Sequence, residues 1–369
     1  MLEVADILRA AGPQACDRLA VLPSQKRALQ AILQCRTAAL GGQVYGCDHC
    51  GALHFSYHSC GNRHCPKCHG QRTERWLERQ RARLLPCPYY LATFTLPSEL
   101  RALARSQQKI VYGLLLQAAA ASLKTLCADP RWMGGQPTLT GVLHTWTRAM
   151  LYHPHAHFLV SAGGLSPDGQ SWQPAKHAAF LVPVRALSVL FRAKTRAGLQ
   201  EAQLLDRVPP KVWRQPWVVH LQPAGSGEKV LQYLGRYVFR IAITQSRLDW
   251  LQNDRVAFHY RESKTQQLKQ VCLTVEQFLQ RFLQHVLPQG LAKVRHYGLA
   301  ASACQKRHAA ALALLAQTAL GAGLLTPGLD SPAADPKPLL CPHCHIGRLV
   351  CLGRLLCLGR LRPRRKIPP

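Results

Sequence analysis

The sequence predicts an α+β fold, and three observations lead there. Segments with strand and helix periodicity alternate along the chain without the strict rhythm of a doubly wound sheet. A segment near the N-terminus, 44–72, interrupts them with five Cys and five His. Finally, "LYHPHAHFLV" (151–160) sets His153, His155 and His157 at every second position just before an apolar run. A strand points alternate side chains to one face, so the three imidazoles stand in a row with Ala156, Phe158 and Val160 turned the other way. Neutral imidazole is the commonest protein ligand for divalent metals. On this stretch alone, a His-rich edge strand accounts for the pattern equally well.

In chain order, residues 1–40 read as helices. "SQKRALQAILQC" (24–35) has Ser24 at a cap position and apolar residues at helical spacing from Leu29 to Leu33. After the Cys/His segment, "TERWLERQRARLLP" (73–86) reads as a basic helix. "YYLATFTLP" (89–97) has strand composition. A helix from about Ser98 to Leu126 follows, with Ser98 as cap and Glu99 in the first turn, where the helix dipole favours an acid. The segments 138–148 and 153–164 read as two strands, the second ending at a Gly turn. A mixed basic segment covers 180–215, and 217–223 is another strand. Residues 228–243 carry helical periodicity, 255–262 and 269–275 form a hairpin, and 275–288 is a helix.

The chain of 369 residues is long enough for two or three domains, with boundaries expected at 1–85, 86–300 and 301–369. Its 47 Lys+Arg against 18 Asp+Glu give a formal charge of +29, which attracts polyanions, nucleic acid being the usual one. An anionic membrane is the rival partner. The longest apolar stretch, "AAALALLAQTALGAGLL" (309–325), starts beside Arg307 and His308 and is rich in small residues, so it reads as a core helix. The N-terminus has acids at positions 3 and 6 and no basic region leading into an apolar run, unlike a signal peptide. Fifteen Cys without an export signal point to a reducing, cytoplasmic setting, where Cys spacing means metal or chemistry.

Cys47-x2-Cys50, fourteen residues, then Cys65-x2-Cys68 is zinc-ribbon spacing. One closed, structural four-thiolate zinc site is expected, with Gly51 and Gly70 suiting the turns. Cys60, His58, His64 and His69 are surplus. Cys60 either replaces one thiolate or packs as a small apolar residue. Arg63, Lys67, Arg72 and Arg75 around the site would set a rigid basic module on phosphates. A second CxxC, Cys341 and Cys344, has Cys351 and Cys357 as candidate partners at irregular spacing, a weaker pattern.

With Asp168 as its only acid, the region 130–200 speaks against a metal site of three converging carboxylates. A metal held by His beside a tyrosine nucleophile uses no carboxylate. Tyr233 and Tyr237 lie four residues apart on the expected helix, offset by about 40°, and share one face. They are either two phenols that reach one phosphate or an aromatic pair on a core stripe. Arg236 and Arg240 beside them suit phosphate binding, or form a solvated basic face.

The segments "SCGNRHCPKC" (59–68), "FTLP" (94–97), "LHTW" (143–146), "HPHAHFLVSAGG" (153–164), "YLGRYVFRIAI" (233–243) and "FLQHVLPQGLAKVRHYGL" (282–299) together resemble the rolling-circle insertion-sequence transposases of the IS91 type. These are HUH nucleases with an N-terminal zinc-binding domain. The resemblance runs from about residue 5 to 345. It implies a small antiparallel sheet flanked by helices behind an N-terminal helical and zinc-ribbon module. It implies that His155 and His157 hold a divalent ion, Mg²⁺ or Mn²⁺; the motif does not fix a third ligand, for which His153 has the right parity and His144 on the preceding strand could reach across. Tyr233 and Tyr237 become nucleophiles that form 5′-phosphotyrosyl links on single-stranded element ends and target DNA, with no nucleotide cofactor and no membrane partner, in the cytoplasm at the nucleoid. Two departures stand out. Ala156 occupies a position that is bulky in the family, so looser packing behind the metal strand is expected, and the tail after about Gly347 does not match. A DNA-binding protein that has lost catalysis, or a plasmid replication initiator or relaxase, would share these features.

Overall fold

A computed structural model describes residues 1–68, 70–81, 83–177, 180–225, 229, 235, 241–262, 265–321 and 339–356, with side chains at 15–16, 70–75 and 318–321 excepted. The chain opens with three helices, α1 (Val4–Ala11), α2 (Ala15–Arg18) and α3 (Pro23–Gln34). α1 buries Val4, Ala5, Ile7 and Leu8, one face of a short amphipathic helix. The N-cap of α3 is Leu22 and not Ser24: Pro23 takes the first helical position, where its missing N–H costs nothing, and the Gln25 side chain accepts the Leu22 N–H at 2.8 Å. A hairpin of β1 (Gly42–Cys47) and β2 (Leu53–Tyr57) follows, then the expected basic helix, α4 (Gly70–Arg81).

The central layer is built from β3 (Tyr89–Thr95), α5 (Arg101–Ser106), α6 (Gln108–Ala128), β4 (Gln136–Trp146), β5 (Tyr152–Leu165), β6 (Trp172–Pro174), α7 (Val184–Glu201) and β7 (Val219–Gly225). The single helix expected over 98–126 is divided. A 3₁₀ turn spans Ser98–Leu100 behind Pro97, and Gln107 leaves helical geometry between α5 and α6. The Ser98 hydroxyl does not cap; it donates to the Glu99 carboxylate at 3.0 Å. α6 is long and apolar enough to cross a membrane by length and composition, yet 61% of its apolar window is buried inside the protein. Val111, Tyr112, Leu115, Leu116 and Leu123 lie in the main core.

Beyond these come β8 (Leu248–Gln252), β9 (Arg255–Arg261), β10 (Leu268–Thr274), α8 (Val275–Leu283), β11 (Val294–Gly298), α9 (Gln305–Gly321) and β12 (Leu349–Leu355). The main antiparallel sheet has the order β11-β4-β5-β3-β7, with β6 added to β5. α6 and α7 pack together, α6 also against β4 and β5 and α7 against β7. β8, β9 and β10 form a three-stranded sheet, and α8 joins a second core in which Val4, Ile7, Leu29 and Ile32 meet Phe258, Phe278 and Phe282. β12 pairs with β1 to complete the third sheet, β12-β1-β2.

Period-two patterning sorts β5 as expected: Tyr152, Pro154, Ala156 and Phe158 are buried, while His153, His155 and His157 are half-buried. The looser packing expected at Ala156 does not occur. Ala156 is fully buried opposite Phe94, whose ring packs edge-on against Phe158 at 5.7 Å and Phe191 at 5.0 Å. The bulk missing from β5 is supplied by the neighbouring strand. Gly141 on β4 makes room for the same cluster, because a Cβ there would stand 2.7 Å from the Phe158 ring.

Candidate metal centres and nucleic-acid interface

β5 runs between β4 and β3, and both neighbours contribute to the histidine site. His144 on β4 pairs in register with His155, and Thr93 on β3 with His157. His144, His155 and His157 form one group in which a ring nitrogen from each lies within 4.8 Å of the others. Of the two candidates for a third ligand, His144 is therefore the one brought to the pair. His153 is engaged elsewhere: its Nδ1 accepts from Arg101 at 3.1 Å, and burial with the Arg101 charge lowers its pKa.

Hydrogen bonds fix how these rings stand. His155 Nδ1 donates to the His153 carbonyl at 2.7 Å, so the lone pair of the neutral ring belongs to Nε2. His157 Nδ1 lies 2.9 Å from the Thr93 hydroxyl. His144 is 2% exposed and stacks on Trp146 at 4.8 Å, and Lys293 Nζ lies over the Trp146 ring, 5.1 Å from its centre. Burial, with the nearby Arg63 charge, lowers the Lys293 ammonium to about 7.

His285, on the segment after α8, is wholly enclosed against Trp146 and Tyr152. Its Nε2 donates to the Met150 carbonyl at 3.1 Å and its Nδ1 meets the Thr145 hydroxyl at 3.2 Å. Burial lowers its pKa from 6.5 to about 4. The unfolded chain thus binds a proton that the folded chain refuses. Stability from this group is complete above the unfolded value of 6.5 and is lost as pH falls towards 4, a difference worth about 3 kcal/mol. Thermal unfolding followed from pH 7 to pH 4 should show this slope, and His285→Gln should flatten it; an unchanged slope in the variant counts against the assignment.

The cysteines expected to share one ion, Cys47, Cys50, Cys65 and Cys68, do not come together. Cys65 and Cys68 join Cys35 and Cys60, whereas Cys47 and Cys50 join Cys341 and Cys344, each group within 4.8 Å. A tetrahedral ion with bonds of about 2.3 Å holds sulfurs about 3.8 Å apart. In the first group Cys35 and Cys60 stand 3.4 and 3.5 Å from Cys68, close to that spacing. Cys60 stands within this group and also packs against the second core. Cys35, at the C-terminal cap of α3, was not among the expected ligands because it has no CxxC partner. Burial pushes its thiol up to about 11. His64 accepts the Leu287 N–H at 3.2 Å, and His58 is exposed outside both groups.

Two of the expected phosphate contacts are used internally. The Arg63 guanidinium donates to the carbonyls of Leu291 at 2.6 Å and Pro288 at 2.8 Å, tying the cysteine loop to the segment after α8. Lys67 forms an ion pair with Glu3 at the start of α1. Carbonyls and a carboxylate within reach outcompete solvent for both cations. The Arg72 and Arg75 side chains, His69, Tyr233, Tyr237, Arg236, Arg240 and Cys357 lie outside the described residues, as does most of the helix expected over 228–243; Lys229 and Gly235 are helical within it, whereas 241–243 are not. The described chain resumes at Ile241, where Ile241 and Ala242 line a cavity with Trp146, Lys293 and Arg63.

Comparison with known proteins agrees with this architecture. Residues 7–96 match the family described as "Transposase zinc-binding domain", and residues 139–308 match that described as "Putative transposase". The chain is 36% identical to "Putative transposase y4qJ" of Sinorhizobium fredii, over 95% of this chain and 94% of the relative. It is 29% identical to the transposase for insertion sequence element IS801 of Pseudomonas savastanoi pv. phaseolicola, over 73% of this chain and 69% of that protein. No solved structure matches significantly. With a cysteine-rich module at the N-terminus and an antiparallel core behind it, the chain belongs to the IS91-type transposases that carry an N-terminal zinc-binding domain.

Proposed function

We propose that this transposase nicks and rejoins single-stranded DNA at insertion-sequence ends, using Tyr233 and Tyr237 as nucleophiles beside a divalent ion held by His144, His155 and His157. The observation that carries this reading is the trio of imidazoles on two adjacent strands, with two of the rings oriented by neighbouring polar groups. Three imidazole donors on one side leave a divalent ion open positions for substrate; the family resemblance points to Mg²⁺ or Mn²⁺, although imidazole by itself favours softer ions such as Zn²⁺. Bound there, the ion would supply Lewis-acid polarisation of the scissile phosphate.

The remaining chemistry belongs to the chain. A phenol has a pKa near 10, so at neutral pH it needs help to attack. The cationic surroundings, Arg236 and Arg240 with it in sequence, favour the phenolate. Its oxygen forms a bond to phosphorus as the bond to the 3′ oxygen breaks, and that oxygen leaves as a hydroxyl after taking a proton. A 3′ hydroxyl then attacks the phosphotyrosine, rebuilding the phosphodiester and releasing the phenol. The link conserves the bond energy, so no nucleotide cofactor is required. Cleavage of this kind acts on DNA in the cytoplasm, at the nucleoid.

The test uses labelled single-stranded element ends and peptide mass analysis of the adduct. A DNA-linked peptide within 228–240 is expected. Each single Tyr→Phe variant should retain a partial reaction, and Tyr233→Phe with Tyr237→Phe should form no adduct yet bind DNA. An adduct elsewhere in the chain, or undiminished cleavage by the double variant, rules the reading out. Thr93→Val provides a finer check, because it removes the group that orients His157. Outer-shell partners of this kind are worth about 10- to 100-fold in metal affinity or activity. The Mn²⁺ concentration needed for half-maximal cleavage should rise by that range, and no change would detach Thr93 from the site.

A further inference from the structure

We propose that Cys47, Cys50, Cys341 and Cys344 form a second four-thiolate zinc site, which clasps the C-terminal segment onto the N-terminal module. The matched zinc-binding domain spans residues 7–96, so it contains only half of this ligand set. The inference is independent of the nuclease reading, since none of its residues belongs to the histidine site.

The geometry is that of two facing knuckles. Cys47 Sγ lies 3.6 Å from Cys344 Sγ, and Cys50 Sγ lies 3.8 Å from Cys341 Sγ. These separations are at or just under the roughly 3.8 Å between sulfurs on one tetrahedral ion and far exceed a disulfide bond of about 2.05 Å. Backbone N–H groups turn in on both sides, as a thiolate requires. His49 and Cys50 donate to Cys47 at 3.4 Å, and His343 donates to Cys341 and Gly347 to Cys344 at the same distance.

The surrounding backbone holds the knuckles in place. β12 pairs with β1 from Gly42–Leu355 to Cys47–Leu349, ending at the metal ligands themselves. Asp48 and Arg348 exchange backbone contacts across the junction, with the Arg348 N–H on the Asp48 carboxylate at 2.7 Å. Gly347 completes the fit: a Cβ there would sit 2.3 Å from Cys47 Sγ. Only glycine lets the second knuckle close on the first. Cys351, which sequence spacing offers as a partner for Cys341 and Cys344, is exposed on β12 and outside the group.

The experiment is a cobalt(II) titration of the full chain, prepared metal-free under reducing conditions, alongside zinc analysis. Thiolate-to-cobalt charge transfer counts sulfur-bound ions and ignores one held by imidazole. The wild-type chain should saturate at two equivalents of sulfur-bound metal. Cys341→Ser with Cys344→Ser, and separately Gly347→Ala, should each saturate at one. Gly347→Ala keeps every thiol, and circular dichroism on the same sample reports whether it folds. A wild-type chain that takes up one equivalent, or variants that still take up two, overturns the proposal. So does recovery of Cys47–Cys344 or Cys50–Cys341 as disulfides from cells after alkylation of free thiols.

Discussion

Alanine in place of His155 or His157 is expected to lower single-strand cleavage by about 10²- to 10³-fold or more, with DNA binding retained. The figure follows from the several kcal/mol that a Lewis-acid ion contributes to a phosphoryl transition state. Binding should survive because a chain of formal charge +29 can neutralise phosphates with cations other than these two rings. His155 and His157 are half-buried, so shortening them leaves little void, whereas His144 is enclosed and stacked on Trp146. His144→Ala should therefore lose cleavage and some stability together. Single-turnover cleavage with the tyrosines intact, set beside a binding isotherm at matched salt, separates the two effects. Cleavage at the wild-type rate by His155→Ala or His157→Ala would dismiss the histidine site.

Serine at Cys65 should release the zinc of the first cysteine group and unfold the N-terminal module. Structural zinc sites contribute on the order of 10 kcal/mol to folding, so losing one ligand removes a large part of what holds 35–68 together. The damage should spread. Cys35, Cys65 and Cys68 lie in the same core as Val4, Ile7, Leu29, Phe278 and Phe282, which ties α1 and α3 to α8. Hydrogen exchange should consequently show residues 4–34 and 275–283 losing protection as one unit. Cys87→Ser is the control: that thiol is also buried, and it stands outside both groups, so zinc content should hold. Because burial pushes the Cys35 thiol up to about 11, zinc must displace its proton, and affinity should fall as pH drops. Equal zinc content and equal unfolding temperature in Cys65→Ser and wild type would refute the assignment.

The histidine row was legible because its information is local: a period of two within eight residues fixes both the strand and the face. His144 carries no such signal. It reaches the site only through the pairing of β4 with β5, and spacing along one segment says nothing about register between two. The cysteines mislead for the same reason. The interval between Cys50 and Cys65 matches a ribbon, but the cysteines that join each pair are a lone Cys at the end of α3 with Cys60, and two from a segment beyond residue 340. Arg63 and Lys67 looked like phosphate ligands by composition, and only the fold reveals the carbonyls and the carboxylate that occupy them. Boundaries moved where proline intervened, at Pro23 and Pro97, each of which sets the start of a helical turn in place of the serine that follows it.

The pairing of β12 with β1 sets an order of events during synthesis. β1 is among the first strands to leave the ribosome, and one of its edges waits for β12, which follows Cys344, itself 297 residues downstream of Cys47. Until then that edge presents open N–H and C=O groups, a template for another chain. The module at the start of the protein is thus the last to be finished. An interruption of translation between Gly321 and Leu349 yields a product with its main sheet complete and its first sheet still short of a strand. Truncated copies of such an element would then be marked for aggregation or proteolysis by the very segment that was made first.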